Sequence, residues 1–188
     1  NAKIGVIMGT GTNACYLENG NKVRNWINSK FHRGVIINTE WATFGENGEL
    51  KDYYTHFDSV IDKTSINPDK QIFEKMISGM YLGKLVKLIL LEAAQNNLIF
   101  KKGIPIKLME EESFDTSMIS ASYAKDEFLK QFFQQFDYNL DDEEFQCVWK
   151  VCEAISLRSA HLCAAGLIAL LKRIECPKGV IAADGSMF

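Results

Sequence analysis

The sequence predicts an α/β domain, and three observations carry the prediction. Strand-like segments crowd the first forty residues, two long stretches with a helical period follow, and a last strand-like segment closes the chain. Lys3-Ile4-Gly5-Val6-Ile7-Met8 is rich in β-branched residues, Gly9-Thr10-Gly11-Thr12-Asn13 is turn chemistry, and Ala14-Cys15-Tyr16-Leu17 resumes a strand. Glu18 to Arg33 is polar and reads as an exposed excursion. Gly34-Val35-Ile36-Ile37-Asn38 is a third strand, ending in the polar tip Asn38-Thr39-Glu40-Trp41.

The first long helix is predicted from Asn67-Pro68-Asp69, where Asn67 caps, Pro68 suits the first helical position and Asp69 favours the positive end of the dipole. Ile72, Phe73, Met76, Ile77, Met80 and Tyr81 keep the 3.6-residue period, and the helix is expected to run to about Asn96. Phe100 to Gly103 is a turn region and Pro105 its exit. Residues 106–141 read as shorter, mixed elements. A second long helix is expected from about Asp142 to Lys172, with Phe145, Val148, Trp149, Cys152 and Ile155 on one face. Its second half is apolar nearly all round, which predicts burial between layers. Pro177 and Gly179 end it, and Val180-Ile181-Ala182-Ala183 is a last strand leading into Asp184-Gly185-Ser186. An apolar strand with no following helix to cover it, and a strand-like beginning at Asn1, predict a piece of something larger.

Composition narrows the function classes. The 188 residues fit one domain, and 47% hydrophobic with 24% charged residues is globular composition rather than disorder. Lys and Arg number 21 against 24 Asp and Glu, so the net charge of −3 offers no footprint for nucleic acid. The longest nearly pure apolar run, Leu162 to Leu171, is ten residues and too short for a bilayer core of ~30 Å, so no transmembrane segment is expected. No signal peptide is visible. Five cysteines without a C-x-x-C or a suitably spaced His read as reduced, mostly buried thiols of a cytoplasmic protein, with no metal site.

Several residues are candidates for chemistry. The Gly9-Thr10-Gly11-Thr12 turn joins two strands, so it is neither a Rossmann fingerprint nor a Walker A loop, both of which open a helix. It is either an ordinary hairpin or a nest of backbone N–H groups for an anion. Glu40 ends an apolar strand, where ligand sites of α/β folds gather. Gln71 and Glu74 are three apart and share one helix stripe, either a solvated face or a partly buried one. Gly79 and Gly83 each cost the helix roughly 1 kcal/mol, so close packing or a nucleotide approaches there. His32, His56 and His161 lack matching partners, and His161 reads as a core histidine. Gly185 permits an unusual φ between Asp184 and Ser186.

Taken together, Ile4 to Tyr16, Ile37-Asn38-Thr39-Glu40-Trp41, Asn67 to Gly83, Phe114-Asp115-Thr116 and Ala183-Asp184-Gly185-Ser186 resemble the hexokinases of the eukaryotic, glucose-phosphorylating kind. The resemblance spans nearly the whole chain. It implies an actin-like ATPase (ribonuclease H-like) fold, with residues 1–188 matching most of the large domain and the small domain absent. Gly9 to Thr12 match the family's second phosphate loop, with Gly9, Thr10 and Gly11 on the ATP and Thr10 contacting phosphate, and Asn13, Glu40, Gln71 and Glu74 match its sugar-binding positions. Gly79, Met80, Thr116 and Ser120 match positions around the nucleotide, and Gly185 and Ser186 the adenosine-binding turn. Implied ligands are glucose or a related hexose, ATP and Mg²⁺, and the implied partner is the missing small domain of the same parent chain. The family's proton-accepting Asp lies in an Asn-Asp-Thr segment upstream of the position of Asn1. None of the ten aspartates present matches it, so no catalytic residue is assigned and the isolated chain is expected to be inactive. The competing expectation is a truncated, non-catalytic homologue that binds sugar or nucleotide. Two departures stand out: Ala42 replaces a usual Gly, and Lys84 a usual Glu, expected on a solvated helix face.

Overall fold

A computed structural model describes residues 2–23 and 34–187. His32, and the end of the expected polar excursion, lie outside the described residues. Four strands, β1 (Ile4–Met8), β2 (Thr12–Asn19), β3 (Gly34–Asn38) and β4 (Ile181–Asp184), form one sheet in the order β3-β2-β1-β4. β1 and β2 are an antiparallel hairpin in which Met8 faces Thr12 and Ile4 faces Tyr16. β3 adds antiparallel to β2, and β4 adds parallel to β1 with Ile4 opposite Ile181. The hairpin explains why β2 outruns its expected length, since each added residue to Asn19 gains a ladder partner on β3. Glu18 is consequently buried in the strand rather than on an excursion, with Arg173 at 3.1 Å.

Alternation sorts the sheet faces. Ile4, Val6 and Met8 of β1 and Thr12 and Ala14 of β2 point inward, while Ile7 and Ile36 are exposed on the opposite face. Among the described residues there are six α-helices, α1 (His56–Thr64), α2 (Ile72–Ile77), α3 (Gly79–Gln95), α4 (Thr116–Ala121), α5 (Lys125–Phe136) and α6 (Asp142–Arg173), of which α2 and α6 pack against the inward side of the sheet. α1 is short but amphipathic, with Phe57 and Ile61 four apart and turned toward the aromatic-rich core. It is fixed by a capping box in which Thr55 accepts from Asp58 N–H and the Asp58 carboxylate accepts from Thr55 N–H.

The expected helix from Asn67 to Asn96 is two helices and a turn. Asp69 and Gln71 adopt left-handed backbone angles (φ +62° and +52°), so helix begins only at Ile72. Ser78 is extended and breaks it again before Gly79. The cause is tertiary, because the N–H groups of Gly79 and Met80 donate to Gly9 O and Thr10 O at 2.8 and 3.2 Å. Those bonds dock the start of α3 on the glycine turn at the expense of helix continuity.

Two cores result. One, between α3, α4, α5 and α6, is aromatic-rich and includes Phe114, Phe128, Phe132, Phe136 and Phe145. The other lies beneath the sheet and joins Val6, Met8 and Ala14 to Trp41, Phe73, Met76 and Cys163. α6 touches both. Its second half is less buried than its composition predicts, with Leu157 and Ile168 about half exposed and His161 exposed instead of in a core. As a whole, α6 is long and apolar enough to cross a membrane by length and composition alone, with a window of mean hydropathy 1.7, which the ten-residue run understates. Its midpoint nevertheless carries Arg158 in a bidentate pair with buried Asp58, both bonds 2.8 Å. All five cysteines are free thiols, of which Cys152 and Cys163 are buried and Cys147 is exposed.

Candidate functional site

The β1–β2 hairpin tip is held from three sides. Gly9 N–H closes the turn on Gly11 O at 3.0 Å, α3 donates to it from beneath, and Met187 N–H donates to Met8 O at 3.0 Å. Gly185 (φ +118°) must be glycine, because a Cβ there would stand 2.1 Å from Met8 O. A Cβ on Gly79 would meet Gly9 O at 2.9 Å, so backbone fills that approach. Among the described residues no protein acceptor takes the N–H of Thr10 or Gly11, and the Thr10 side chain is exposed. Two adjacent uncommitted N–H groups beside a hydroxyl are the donors an anion needs.

A cleft of about 570 Å³ opens beside this tip and is lined by Thr10, Gly79, Met80, Thr116, Ser120 and Ser186, among others. Six of the nine nucleotide candidates are thus brought together; Gly9, Gly11 and Gly185 supply the backbone beneath them. Thr116 Oγ1 donates to Gly79 O and accepts from Gly83 N–H at 3.0 Å, tying the start of α4 to α3. Gly83 itself is explained by packing, since its Cβ would fall 2.5 Å from Phe114 O. Lys84 lines the same cleft, paired with Glu112 at 3.2 Å, so its place is not simply a solvated face.

The sugar candidates gather on the other flank of the tip. Asn13 Nδ2 donates to Glu40 Oε1 at 3.0 Å, and Asn38 Nδ2 donates to the same oxygen. Asn13 Oδ1 in turn accepts from Ala14 N–H at 2.8 Å, which fixes the amide orientation. Glu40 has a left-handed backbone (φ 49°) that aims it off the end of β3 into the 3₁₀ turn Trp41–Thr43. That turn accommodates Ala42 in a buried position. Glu74 Oε2 accepts from Thr12 N–H at 2.8 Å and is the first atom that a Cβ on Gly11 would meet, at 2.9 Å. Gln71 stands one turn earlier, at the N-cap of α2, with its own N–H on Glu46 Oε1 at 2.9 Å. The Gln71 N–H, and then Lys70, hold the Glu46 carboxyl below its usual range. Burial raises the Tyr81 phenol, and the Glu74 charge adds to it.

Sequence reasoning had placed Thr12 in the phosphate loop but had not linked it to the sugar side, and it had not marked Trp41 or Asn38 as parts of this site. Trp41 Nε1 donates to Thr12 Oγ1 at 3.1 Å and Thr12 Oγ1 to Ile7 O at 2.9 Å, so the residue after the glycines is locked beneath both flanks. For Asn38 and Trp41 the available signal was adjacency, since both lie within two residues of Glu40. A larger groove of about 1080 Å³ runs from Glu40 along Trp41 and Phe44 to α6, but it is mainly apolar, and Arg158 on its wall is already paired with Asp58. Among the described residues no three His, Cys, Asp or Glu side chains converge on a metal-sized site.

A sequence model of the hexokinases matches residues 3–188. The chain belongs to the hexokinase family. It is 41% identical to human hexokinase-1 over 196 residues and 42% identical to human hexokinase-2 over 197. These alignments take 99% and 100% of the chain but 21% of each relative, so the chain spans about a fifth of the length of the curated relatives it matches. Among solved structures it resembles a hexokinase from Schistosoma mansoni complexed with glucose, with a TM-score of 0.88 and 33% identity. That match covers 99% of this chain and 43% of the other. A second hexokinase crystal structure aligns with a TM-score of 0.81 at 32% identity, over 99% of this chain and 40% of that one. The hexokinase match fixes the fold as actin-like, with the mixed sheet and its covering helices arranged as in those structures.

Proposed function

We propose that this chain supplies one wall of a hexose site and one wall of an ATP site for transfer of a phosphoryl group to the sugar 6-hydroxyl, with glucose as the first candidate hexose. The observation that carries the reading is the bond from Thr12 N–H to Glu74 Oε2, which puts a sugar acceptor in contact with the phosphate turn. The residues divide the work. Glu40 and Glu74 accept from sugar hydroxyls, because charge-assisted bonds to a carboxylate are about twice as strong as neutral ones. Glu40 Oε1 is already occupied by two amides and Glu74 Oε2 by a backbone N–H, which leaves the opposite oxygens facing a ligand. Asn13 holds Glu40, and Gln71 adds an amide. The N–H groups of Thr10 and Gly11 and the Thr10 hydroxyl receive phosphate, while Gly79, Met80, Thr116, Ser120, Gly185 and Ser186 line the nucleotide's side.

These residues fit a Mg²⁺ that arrives on ATP and is held chiefly by phosphate oxygens and water, since such an ion needs at most one or two carboxylates from the protein. When bound, it supplies charge neutralisation on the phosphates. Catalysis of this type is positioning plus electrostatics, and the proton on the sugar hydroxyl needs a carboxylate to receive it. That carboxylate is assigned to none of these residues. The 188-residue chain therefore binds both ligands without turnover, and residues elsewhere in the full protein close and complete the site. We place this activity in the cytoplasm.

The test is a titration of the ¹⁵N-labelled chain with glucose and, separately, with Mg-ATP. Glucose is expected to shift Asn13, Thr12 and Glu74, and nucleotide Thr10, Gly79 and Thr116. Glu74→Ala is expected to abolish the first set and leave most of the second. Absence of both sets in the parent chain sinks the reading. Glucose-dependent release of ADP by the chain alone overturns the assignment of the proton acceptor to other residues.

A further inference from the structure

The turn that presents Gln71 is built on two buried charges with no part in the chemistry described above. Asp62 of α1 and Lys75 of α2 are 4% and 3% exposed, and Lys75 Nζ lies 2.6 Å from Asp62 Oδ1. The same Nζ donates to Asn67 O at 2.7 Å, and both Asp62 oxygens accept from Asp69 N–H at 3.1 Å. Every one of these bonds lands either on the pair itself or on the backbone of the 67–69 turn.

A buried ion pair is a poor device for stability. Its desolvation cancels much of its attraction, and apolar replacements of similar volume are often tolerated or stabilising. Here the pair has another effect. It clamps a segment whose backbone is unfavourable by itself, because Asp69 and Gln71 are both non-glycine residues in the left-handed region. The two flanks of the clamp are α1 and the first turn of α2, which carries Glu74 at its third residue. Glu46 adds an outer support, taking Gln71 N–H at 2.9 Å and Lys70 Nζ at 2.9 Å.

We infer that Asp62 and Lys75 are positioning residues of the hexose site: they trade folding stability for a fixed left-handed turn that sets where Gln71 and Glu74 stand. The inference rests on the reading of Gln71 and Glu74 as sugar ligands. It assigns the pair no role in nucleotide binding, because no bond of the pair reaches the glycine turn or the 116–120 wall.

The experiment uses the 188-residue chain, with an apolar double variant, Asp62→Leu with Lys75→Met, and the isosteric Asp62→Asn. Three quantities are measured on each: melting temperature, glucose and Mg-ADP affinities, and hydrogen exchange of the Asp69 and Gln71 amides. The double variant is expected to melt near the parent. Its Asp69 and Gln71 amides should exchange at least tenfold faster, its glucose affinity should fall at least tenfold, and its Mg-ADP affinity should stay within twofold. A stable double variant with parental exchange and parental glucose affinity overturns the inference, as does equal weakening of both ligands. Should the double variant fail to fold, Asp62→Asn is read by the same three quantities. If the parent chain binds no glucose, the proposed function has failed. The clamp is then judged on exchange alone, and unchanged rates refute it.

Discussion

Gly83→Ala sets two known effects against each other at one position. Alanine in a helix interior gains about 1 kcal/mol over glycine. The new methyl of α3, however, would sit 2.5 Å from both Phe114 O and Asp115 C, where ordinary contact begins at 3.4 Å. The two segments must part by roughly 0.9 Å to admit it. They do not part easily, because the Asp115 carboxylate caps α4 through Ser117 N–H at 2.8 Å, and Thr116 Oγ1 joins that cap to Gly79 O and Gly83 N–H. Overpacking costs about 1–3 kcal/mol, and a 2.5 Å approach to pinned backbone belongs in the upper part of that range, about 2–3 kcal/mol, so a net loss of about 1–2 kcal/mol is expected after the helix gain. At this size that corresponds to a fall in Tm of about 2–8 °C. Thermal denaturation followed by circular dichroism reads it. The comparison is Gly166→Ala, whose methyl would meet the Trp41 ring edge at 3.0 Å, a side chain able to tilt, and whose Tm should stay within about 2 °C of the parent. A Gly83→Ala chain that melts at or above the parent would refute the argument. Helix propensity would then outweigh the contact, and α3 and α4 would not be in the close register described.

Other perturbations follow from the same geometry. Arg158→Ala leaves Asp58, 3% exposed, as an unpaired buried carboxylate, so urea denaturation should show a loss of about 3–5 kcal/mol. Lys22→Ala removes a pair that is 46% and 78% exposed, and the same measurement should register about 0–1 kcal/mol. Burial pushes the thiols of Cys152 and Cys163 up to about 12 and about 11 from an ordinary 9.0. The unfolded chain therefore releases these protons first. Stability is fully present below pH 9 and falls as pH rises toward 11–12, a decline that should be shallower in Cys152→Ala with Cys163→Ala. A thiol reagent at pH 8 should label exposed Cys147 well before either buried thiol, as mass spectrometry of partly labelled protein can read. Phe128→Ala empties a fully buried ring site in the aromatic core and should cost about 3–5 kcal/mol in the same denaturation assay.

Local chemistry alone made much of this fold legible. β-branched runs marked β1 and β3, Pro177 and Gly179 marked the end of α6, and its start coincides with the Asp141–Glu144 capping box. What escaped was set by distant partners. Nothing near Ser78 interrupts the apolar period, and the break exists because Gly79 and Met80 donate to a turn seventy residues earlier. Burial of Glu18 depends on Arg173, far along the chain. α1 was overlooked because its periodic face is only nine residues long and rests on few apolar residues, while the Thr55–Asp58 cap that starts it is a local signal. The candidate site divides the same way. Residue types and resemblance singled out Glu40, Gln71 and Glu74. The left-handed backbone of Glu40 and Gln71 and the Thr12–Glu74 bond were invisible until the backbone was known, because a positive φ at these residues has no sequence signature of the kind that glycine provides.

α6 has a consequence for how this molecule comes apart. At 1.5 Å per residue its 32 residues make a rod about 48 Å long. Phe145, Val148, Cys152 and Ile155 belong to the aromatic core near one end, and Cys163 to the core beneath the sheet further along. A rod embedded in both cores cannot leave one while keeping its place in the other. The two cores should therefore protect their slowest-exchanging amides with one common free energy, and the sheet and the aromatic layer should be lost in a single cooperative step.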